Sequence, residues 1–360
     1  MKKIRPIAFY LPQFFPTPEN DEWWSPGFTE WTNVARAKPL FPGHYQPRIP
    51  ADLSFYDLRV PSVRERQAAL AREAGIEGFC YWHYWFNGRR LLDRVFAEVV
   101  ESGKPDFPFC LCWANHSWSQ KTWDPNLPNK LLMEQTYPGK DDYVAHFNAM
   151  LPAFRDKRYI KVDGKLLFGV FSPADIPDTD VFFDTWNALA RENGLEGFYF
   201  FGLSQGGGEY ARWKDLPYDA VVYDCLNDTF NHPEDDGFRQ RLVKRLRRKL
   251  FGYPYTTSYV NYISRTREFL AANPGLCPCI EPDFDHSPRS GGKWIIVDGS
   301  TPERWGELCR VAADAVASRE NGDGLVLIKS WNEWGEGNYL EPDMKWGHAY
   351  LDAMAEVLKR

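Results

Sequence analysis

Two glutamates three residues apart, Glu333 and Glu336, stand in the segment Trp331-Asn332-Glu333-Trp334-Gly335-Glu336-Gly337. Acids at that spacing on a loop or short helical turn can point to one side, about 5–6 Å apart. A retaining glycosidase needs two carboxyl groups about 5–5.5 Å apart, one protonated to release the leaving oxygen and one ionised. Two acids that close push one pKa upward, which supplies this division of labour. Trp331 and Trp334 would exclude water from the pair and offer a stacking wall. The plain alternative is a solvated acidic turn ahead of the last helix. Glu341, just before Pro342, fits a surface acid as well as a further site carboxylate.

The elements that must position this pair follow from hydrophobic patterning. Short aromatic and β-branched runs predict eight strands: 4–13, 78–85, 107–115, 166–172, 198–204, 220–226, 277–285 and 325–331. Between them lie helical patterns over 60–74, 91–102, 142–154, 182–193, 258–273, 302–317 and 350–358, several ended by an Ala-Gly or Asn-Gly signal such as Asn321-Gly322. Strand and helix alternating through 360 residues predict one (β/α)₈ TIM barrel with long βα loops, a single catalytic domain over 1–360. The extra length falls in excursions over 14–59 and 116–140. The stretch 227–257 is the hardest to read, and its basic run 239–249 is expected to be a solvated helix face. A doubly wound sheet would carry a Gly-rich phosphate turn after the first strand, where the chain has Leu11-Pro12-Gln13-Phe14. Gly206-Gly207-Gly208 lacks that spacing and reads as a flexible loop.

In such a barrel the chemistry sits where the strands end. Those ends offer Tyr10, His83, Tyr84, Trp113, Asn115, His116, Tyr223, Asp285 and Arg289, then Trp331, Asn332, Trp334 and Asn338 around the glutamates, with Trp31 in the first excursion. These are the expected substrate-binding residues, with Glu333 and Glu336 catalytic. Each histidine fits a satisfied core imidazole as well as a sugar-hydroxyl partner, and His44 reads as structural. A metal centre from His83, His116 and Asp285 lacks any H-E-x-x-H-like spacing, so no metal or other cofactor is expected.

Composition agrees. Aromatic residues make up 16% of the chain, with 15 Trp, 18 Tyr and 25 Phe, and their flat faces with polar handles suit sugar rings, although an aromatic-rich core would use them too. A net charge of -6 gives no basic footprint for nucleic acid. The seven cysteines include two C-x-C pairs, Cys110/Cys112 and Cys277/Cys279, expected as buried free thiols of a reducing compartment. The apolar run after Met1-Pro6 is too short for a secretory leader, and none approaches a membrane span, so a cytoplasmic location is expected. Oligomeric state is left open.

Larger segments carry a family resemblance. Ala8-Phe9-Tyr10-Leu11-Pro12-Gln13-Phe14, Gly27 to Val34, Pro39 to Pro47, Gly78 to Phe86, Cys112-Trp113-Ala114-Asn115 and Ser330 to Pro342 together resemble the WbsX-like proteins of polysaccharide clusters. These in turn look related to glycoside hydrolase family 99, the endo-α-mannosidases. The resemblance implies that Glu333 assists a sugar 2-hydroxyl through an epoxide-like intermediate and that Glu336 is the general acid/base. Two segments depart from the family pattern. His116-Ser117 stands where Glu-Asn is common, and Asp285-His286-Ser287-Pro288-Arg289 replaces an Asp-Asn-Thr-Pro-Arg type, so two extra imidazoles bear on substrate identity.

The expected activity is therefore hydrolysis, with retention, of α-linked mannose-like residues in a bacterial or environmental polysaccharide. The alternatives are a nucleotide-sugar glycosyltransferase of O-antigen or lipopolysaccharide synthesis, with Asp178-Thr179-Asp180 or Asp283-Phe284-Asp285 as metal-diphosphate motifs, and a non-catalytic carbohydrate-binding barrel.

Overall fold

The structure, a computed structural model, describes residues 3–120, 127–231, 237–319 and 323–359. The Asn321-Gly322 helix-end signal and part of the second excursion, 121–126, lie outside the described residues.

Eight parallel strands close into a barrel: β1 (Arg5–Tyr10), β2 (Gly78–His83), β3 (Phe109–Trp113), β4 (Lys165–Val170), β5 (Phe198–Ser204), β6 (Ala220–Asp224), β7 (Cys277–Ile280) and β8 (Leu325–Ile328). Each pairs with the next in sequence, and β8 returns to β1 with Arg5 opposite Leu325 and Ala8 opposite Ile328. Outside them lie α1 (Pro61–Glu73), α2 (Arg94–Ser102), α3 (Lys140–Phe154), α4 (Thr179–Glu192), α5 (Gly207–Trp213), α6 (Tyr259–Ala272), α7 (Pro302–Ser318) and α8 (Ala349–Leu358). Thr301 starts α7 by accepting the Arg304 amide proton, with Pro302 at the first helical position.

Several strands stop earlier than their apolar runs. The first leaves the sheet at Tyr10, the seventh at Ile280 and the eighth at Ile328, yet Leu11, Phe14, Phe284 and Trp331 beyond them are buried. The βα loops pack as an aromatic second layer over the barrel mouth, so hydrophobicity persists after the ladder ends. Gly206-Gly207-Gly208, expected as a flexible loop, opens α5 instead. Trp213 at the end of α5 is buried against Gly202 of β5, where any Cβ would collide with its ring, and this anchors the helix. The basic run forms a helix, Phe238–Phe251, whose apolar side chains are exposed along with most of its cations.

The pleat decides which side chains see the barrel interior. On β2, Phe79 and Tyr81 face the surrounding helices, Tyr81 against Phe96 of α2, while Cys80 and Trp82 face inward, Trp82 stacked on Phe9 at 4.6 Å. On β3, Phe109 and Trp113 face outward and Cys112 faces inward, against Gly169. All seven cysteines are buried and unbridged, and burial raises each thiol pKa.

Candidate active site

A cavity of about 530 Å³ opens at the carboxyl ends of the strands. Its walls are aromatic: Trp82, Tyr84, Trp118, Phe171, Phe230, Phe284 and Trp294. Polar groups converge from Gln13, His116, Gln205, Asn227, His286, Arg289, Lys329, Glu333 and Glu336. Apolar faces with a few placed polar groups are what a sugar site requires.

The glutamate segment is a tight hairpin rather than an open turn. Asn332–Glu333 pairs antiparallel with Asn338–Tyr339, and Trp334–Glu336 forms one 3-10 turn between them. Gly337 closes the turn at φ +68, a conformation that favours glycine. Gly335 has a different reason: a Cβ there would collide with Glu30 Oε2 and lie 2.9 Å from Arg289 Nε. Asn332 anchors the hairpin to β1 by accepting the Leu11 amide proton at 2.8 Å and donating to the Leu11 carbonyl at 3.1 Å.

Arg289 is the centre of the charge arrangement. Its Nε lies 3.1 Å from Glu30, one terminal nitrogen lies 2.8 Å from Glu333 Oε1, and the other donates to Glu336 Oε1. Glu333 is the more enclosed of the pair, with 9% of its side chain exposed against 22% for Glu336. Burial drives the Glu333 pKa well above the ordinary carboxylate value; Arg289 opposes this, and Glu336 and Glu30 reinforce it. Burial pushes Glu336 the same way, but Arg289, His286 and Lys329 overcome it and hold the carboxyl below its ordinary value. Burial thus favours the protonated form of Glu333, and the neighbouring cations favour the ionised form of Glu336. His286 Nε2 lies 3.9 Å from Glu336, and burial lowers its pKa. Burial likewise lowers His116 to about 4.

Below the pair, Lys329 Nζ is held 3.3 Å from Asp224 and 3.2 Å from Glu281. Behind it, Glu341 accepts from Tyr56 at 2.8 Å, Gln67 at 2.6 Å and Trp334 Nε1 at 2.6 Å. Burial lifts its pKa to about 7 against those donors. Glu341 is thus not a surface acid and does not line the main cavity; it fixes the Trp334 side of the hairpin.

Of the sequence candidates, Glu333, Glu336, Tyr84, His116 and Arg289 line the cavity. The others do not, for two reasons. Tyr10, His83, Trp113 and Tyr223 sit on the outward parity of their strands. Tyr10 donates to Gln67 of α1, His83 meets His146 of α3 at 2.7 Å, Trp113 packs on Phe182 of α4, and Tyr223 stacks on Phe269 of α6. Trp31, Asn115, Asp285, Trp331, Asn332, Trp334 and Asn338 are buried in the layer that supports the loops. Asn115 bridges to the Ser172 backbone, and Trp334 stacks on Tyr339 at 3.6 Å.

Asp285 accepts from Gln46 at 2.6 Å and from His44 Nε2 at 2.8 Å. His44 Nδ1 accepts the Leu40 amide proton, which leaves Nε2 as the donor. Burial would raise the Asp285 pKa, but His44, Arg48 and Ser287 hold it far below the carboxylate range. The Asp285 amide donates to the Glu336 carbonyl at 2.6 Å, tying two loops together. His83, His116 and Asp285 therefore do not converge, and among the described residues no group of three or more His, Cys, Asp or Glu is arranged to hold a metal. Asp283 pairs with Arg48, and Asp178 accepts from Tyr143, so both Asp-x-Asp motifs are engaged in packing. Trp82, Lys329, Trp294 and the Glu30 contact escaped the sequence reading. Alternation of small and large residues, as in Gly78-Phe79-Cys80-Tyr81, is the signal that would have turned Trp82 inward.

Residues 6–354 match the family described as Glycosyltransferase WbsX. The chain belongs to that family. The uncharacterized protein WxcX of Xanthomonas campestris pv. campestris is 36% identical across 98% of this chain, in two strains. The chain spans about half the length, 49%, of those curated relatives. Among solved structures, a glycoside hydrolase-like protein aligns over 100% of this chain and 95% of its own, with TM-score 0.63 and 13% identity. The GH99 endo-alpha-mannosidase from Bacteroides thetaiotaomicron aligns over 98% and 96%, with TM-score 0.56 and 13% identity. At that identity the likeness establishes a shared barrel fold. No helix of the described residues is long and apolar enough to cross a membrane.

Proposed function

We propose that this family member is a retaining glycoside hydrolase acting on α-linked, mannose-like residues of a polysaccharide, with Glu333 and Glu336 as its catalytic pair in one barrel domain. The observation that carries the reading is that two cavity carboxylates sit on one buried guanidinium in unlike surroundings, Glu333 the more enclosed and Glu336 the more exposed, and unlike surroundings are what divide an acid from a base.

The resemblance to family 99 gives the roles. Glu333 takes the 2-hydroxyl proton as that oxygen attacks the anomeric carbon, the glycosidic C–O bond breaks, and Glu336 gives its proton to the leaving oxygen. Water then opens the epoxide-like ring at the anomeric carbon, Glu336 takes the water proton, and Glu333 returns its proton to the 2-oxygen. Without substrate, burial favours the protonated form of Glu333 and Arg289 the ionised form of Glu336. A 2-hydroxyl donating to Glu333 favours its ionised form, and a sugar oxygen that draws Glu336 away from Arg289 favours its protonated form. Binding thus moves the proton to the carboxyl that must donate it.

Nucleotide-sugar transfer is the second reading, favoured by the family's description. The charge balance argues against it. Arg289 touches three carboxylates and Lys329 touches two, so among the described residues the two cations lining the cavity are already engaged by carboxylates. The test is incubation without nucleotide-sugar on a panel of α-mannans and bacterial O-polysaccharides, reading released reducing ends. Release that vanishes in Glu336→Gln while binding persists supports hydrolysis. Product only after nucleotide-sugar is added supports transfer, and binding without turnover in either case leaves the non-catalytic barrel.

A further inference from the structure

The helix Phe238–Phe251 is turned inside out relative to a helix that packs on a globular core. Its apolar residues recur at four-residue steps, Phe238, Leu242, Leu246 and Leu250, with Val243 beside them, which places them along one helical face. Such a face normally meets the core, yet these five side chains are 44–74% exposed. The protein is met by another side of the helix. Lys244 donates to the Thr256 carbonyl at 2.9 Å, and Arg239, Lys244 and Arg247 line a cleft with Thr256 and Asp298, with Val243 at its edge.

Charge indicates what covers the exposed face. Seven of the fourteen residues are Arg or Lys (Arg239, Arg241, Lys244, Arg245, Arg247, Arg248 and Lys249), and none is acidic, in a chain whose net charge is -6. A second copy of the chain would bring seven further cations against these seven, which opposes self-association. An anionic lipid surface accommodates both features at once, taking the apolar face into the headgroup and acyl boundary while the cations meet phosphates. We infer that this helix docks the enzyme on an anionic phospholipid surface, lying in its plane rather than crossing it.

The placement gives that docking a use. The helix belongs to the connection between β6 and α6, the same connection that contributes Leu226, Asn227 and Phe230 to the cavity. It is followed by the strand Tyr255–Ser258, which pairs with Ile295–Asp298 next to the cavity residue Trp294. The helix therefore lies at the mouth end of the barrel, and docking sets the cavity close to the lipid surface.

Co-sedimentation of the full chain with vesicles of phosphatidylcholine alone, or phosphatidylcholine with phosphatidylglycerol, tests this. We expect binding to the phosphatidylglycerol vesicles, weakened by salt, and little to phosphatidylcholine alone. Arg241→Glu with Arg248→Glu should cut partitioning by about thirtyfold, and Leu246→Glu with Leu250→Glu by about tenfold or more. All four side chains lie on the exposed helix, so circular dichroism melts of both variants should match the parent. Equal binding to both vesicle types, no binding to either, or binding unchanged in both variants overturns the inference. So does a dimer in sedimentation velocity that Leu246→Glu with Leu250→Glu dissolves in a protein that ignores vesicles.

Discussion

Arg289 and Glu333 share a buried contact of 2.8 Å, made by a guanidinium whose other nitrogens hold Glu30 and Glu336. Three carboxylates on one cation are tolerable only while that cation stays. Arg289→Met leaves them uncompensated in a dry site, and breaking a buried pair costs about 3–5 kcal/mol. Urea denaturation should show a loss of that order, with turnover abolished. A loss under about 1 kcal/mol would mean that the carboxylates are not held as described.

The pair's opposed pKa shifts set the pH profile. As pH falls, Glu336, whose value is depressed, gains a proton and the pair becomes doubly protonated. As pH rises, Glu333, whose value is elevated, loses its proton and the pair becomes doubly ionised. The plot of kcat/KM should be bell-shaped, and its limbs belong to the pair. Arg289 lowers both groups, so Arg289→Lys, with fewer contacts, should move both limbs to higher pH. A profile displaced to lower pH contradicts the assignment.

Parity predicts which aromatics matter for substrate. Tyr84→Ala and Trp82→Ala remove cavity walls and should raise KM about tenfold or more, since a lost stacking face costs on the order of 1–2 kcal/mol. Trp113→Phe and Tyr223→Phe lie outside the barrel and should leave KM within about twofold while lowering Tm. Steady-state kinetics with thermal melts separates the two groups.

Asp285 links stability to pH. Its folded pKa is depressed, so its contribution is present above the ordinary carboxylate value, about 4, and is lost as pH falls through the folded value. Asp285→Asn should lower Tm at pH 7 markedly. The gap from wild type should close below about pH 4. A gap that is constant from pH 7 to about pH 3 contradicts the ion-pair account.

The barrel was legible because βα alternation is a long, repeated signal, and the glutamate pair because two acids and two tryptophans crowd one strand end. What could not be read was direction. Both faces of these strands are apolar, so Tyr10, His83 and Trp113 looked as suitable as Trp82 until the pleat assigned them outward. Asn332 and Asp285 looked like hydroxyl-binding groups, but the loops form a packed layer, and their polar side chains serve buried backbone and imidazole partners. Glu30 was hidden for a simpler reason. It is 259 residues from Arg289 in sequence, and only the closure of the first excursion over the mouth brings them together.

The central claim is that Glu333 and Glu336 cleave a glycosidic bond with water as the acceptor. The most direct measurement is mass spectrometry of products formed in ¹⁸O-water without nucleotide-sugar, from whichever polysaccharide yields fragments. The account predicts one ¹⁸O at each new reducing end in the wild type and no labelled product from Glu336→Gln. Unlabelled products that appear only with added nucleotide-sugar, or labelled products undiminished in Glu336→Gln, would contradict it.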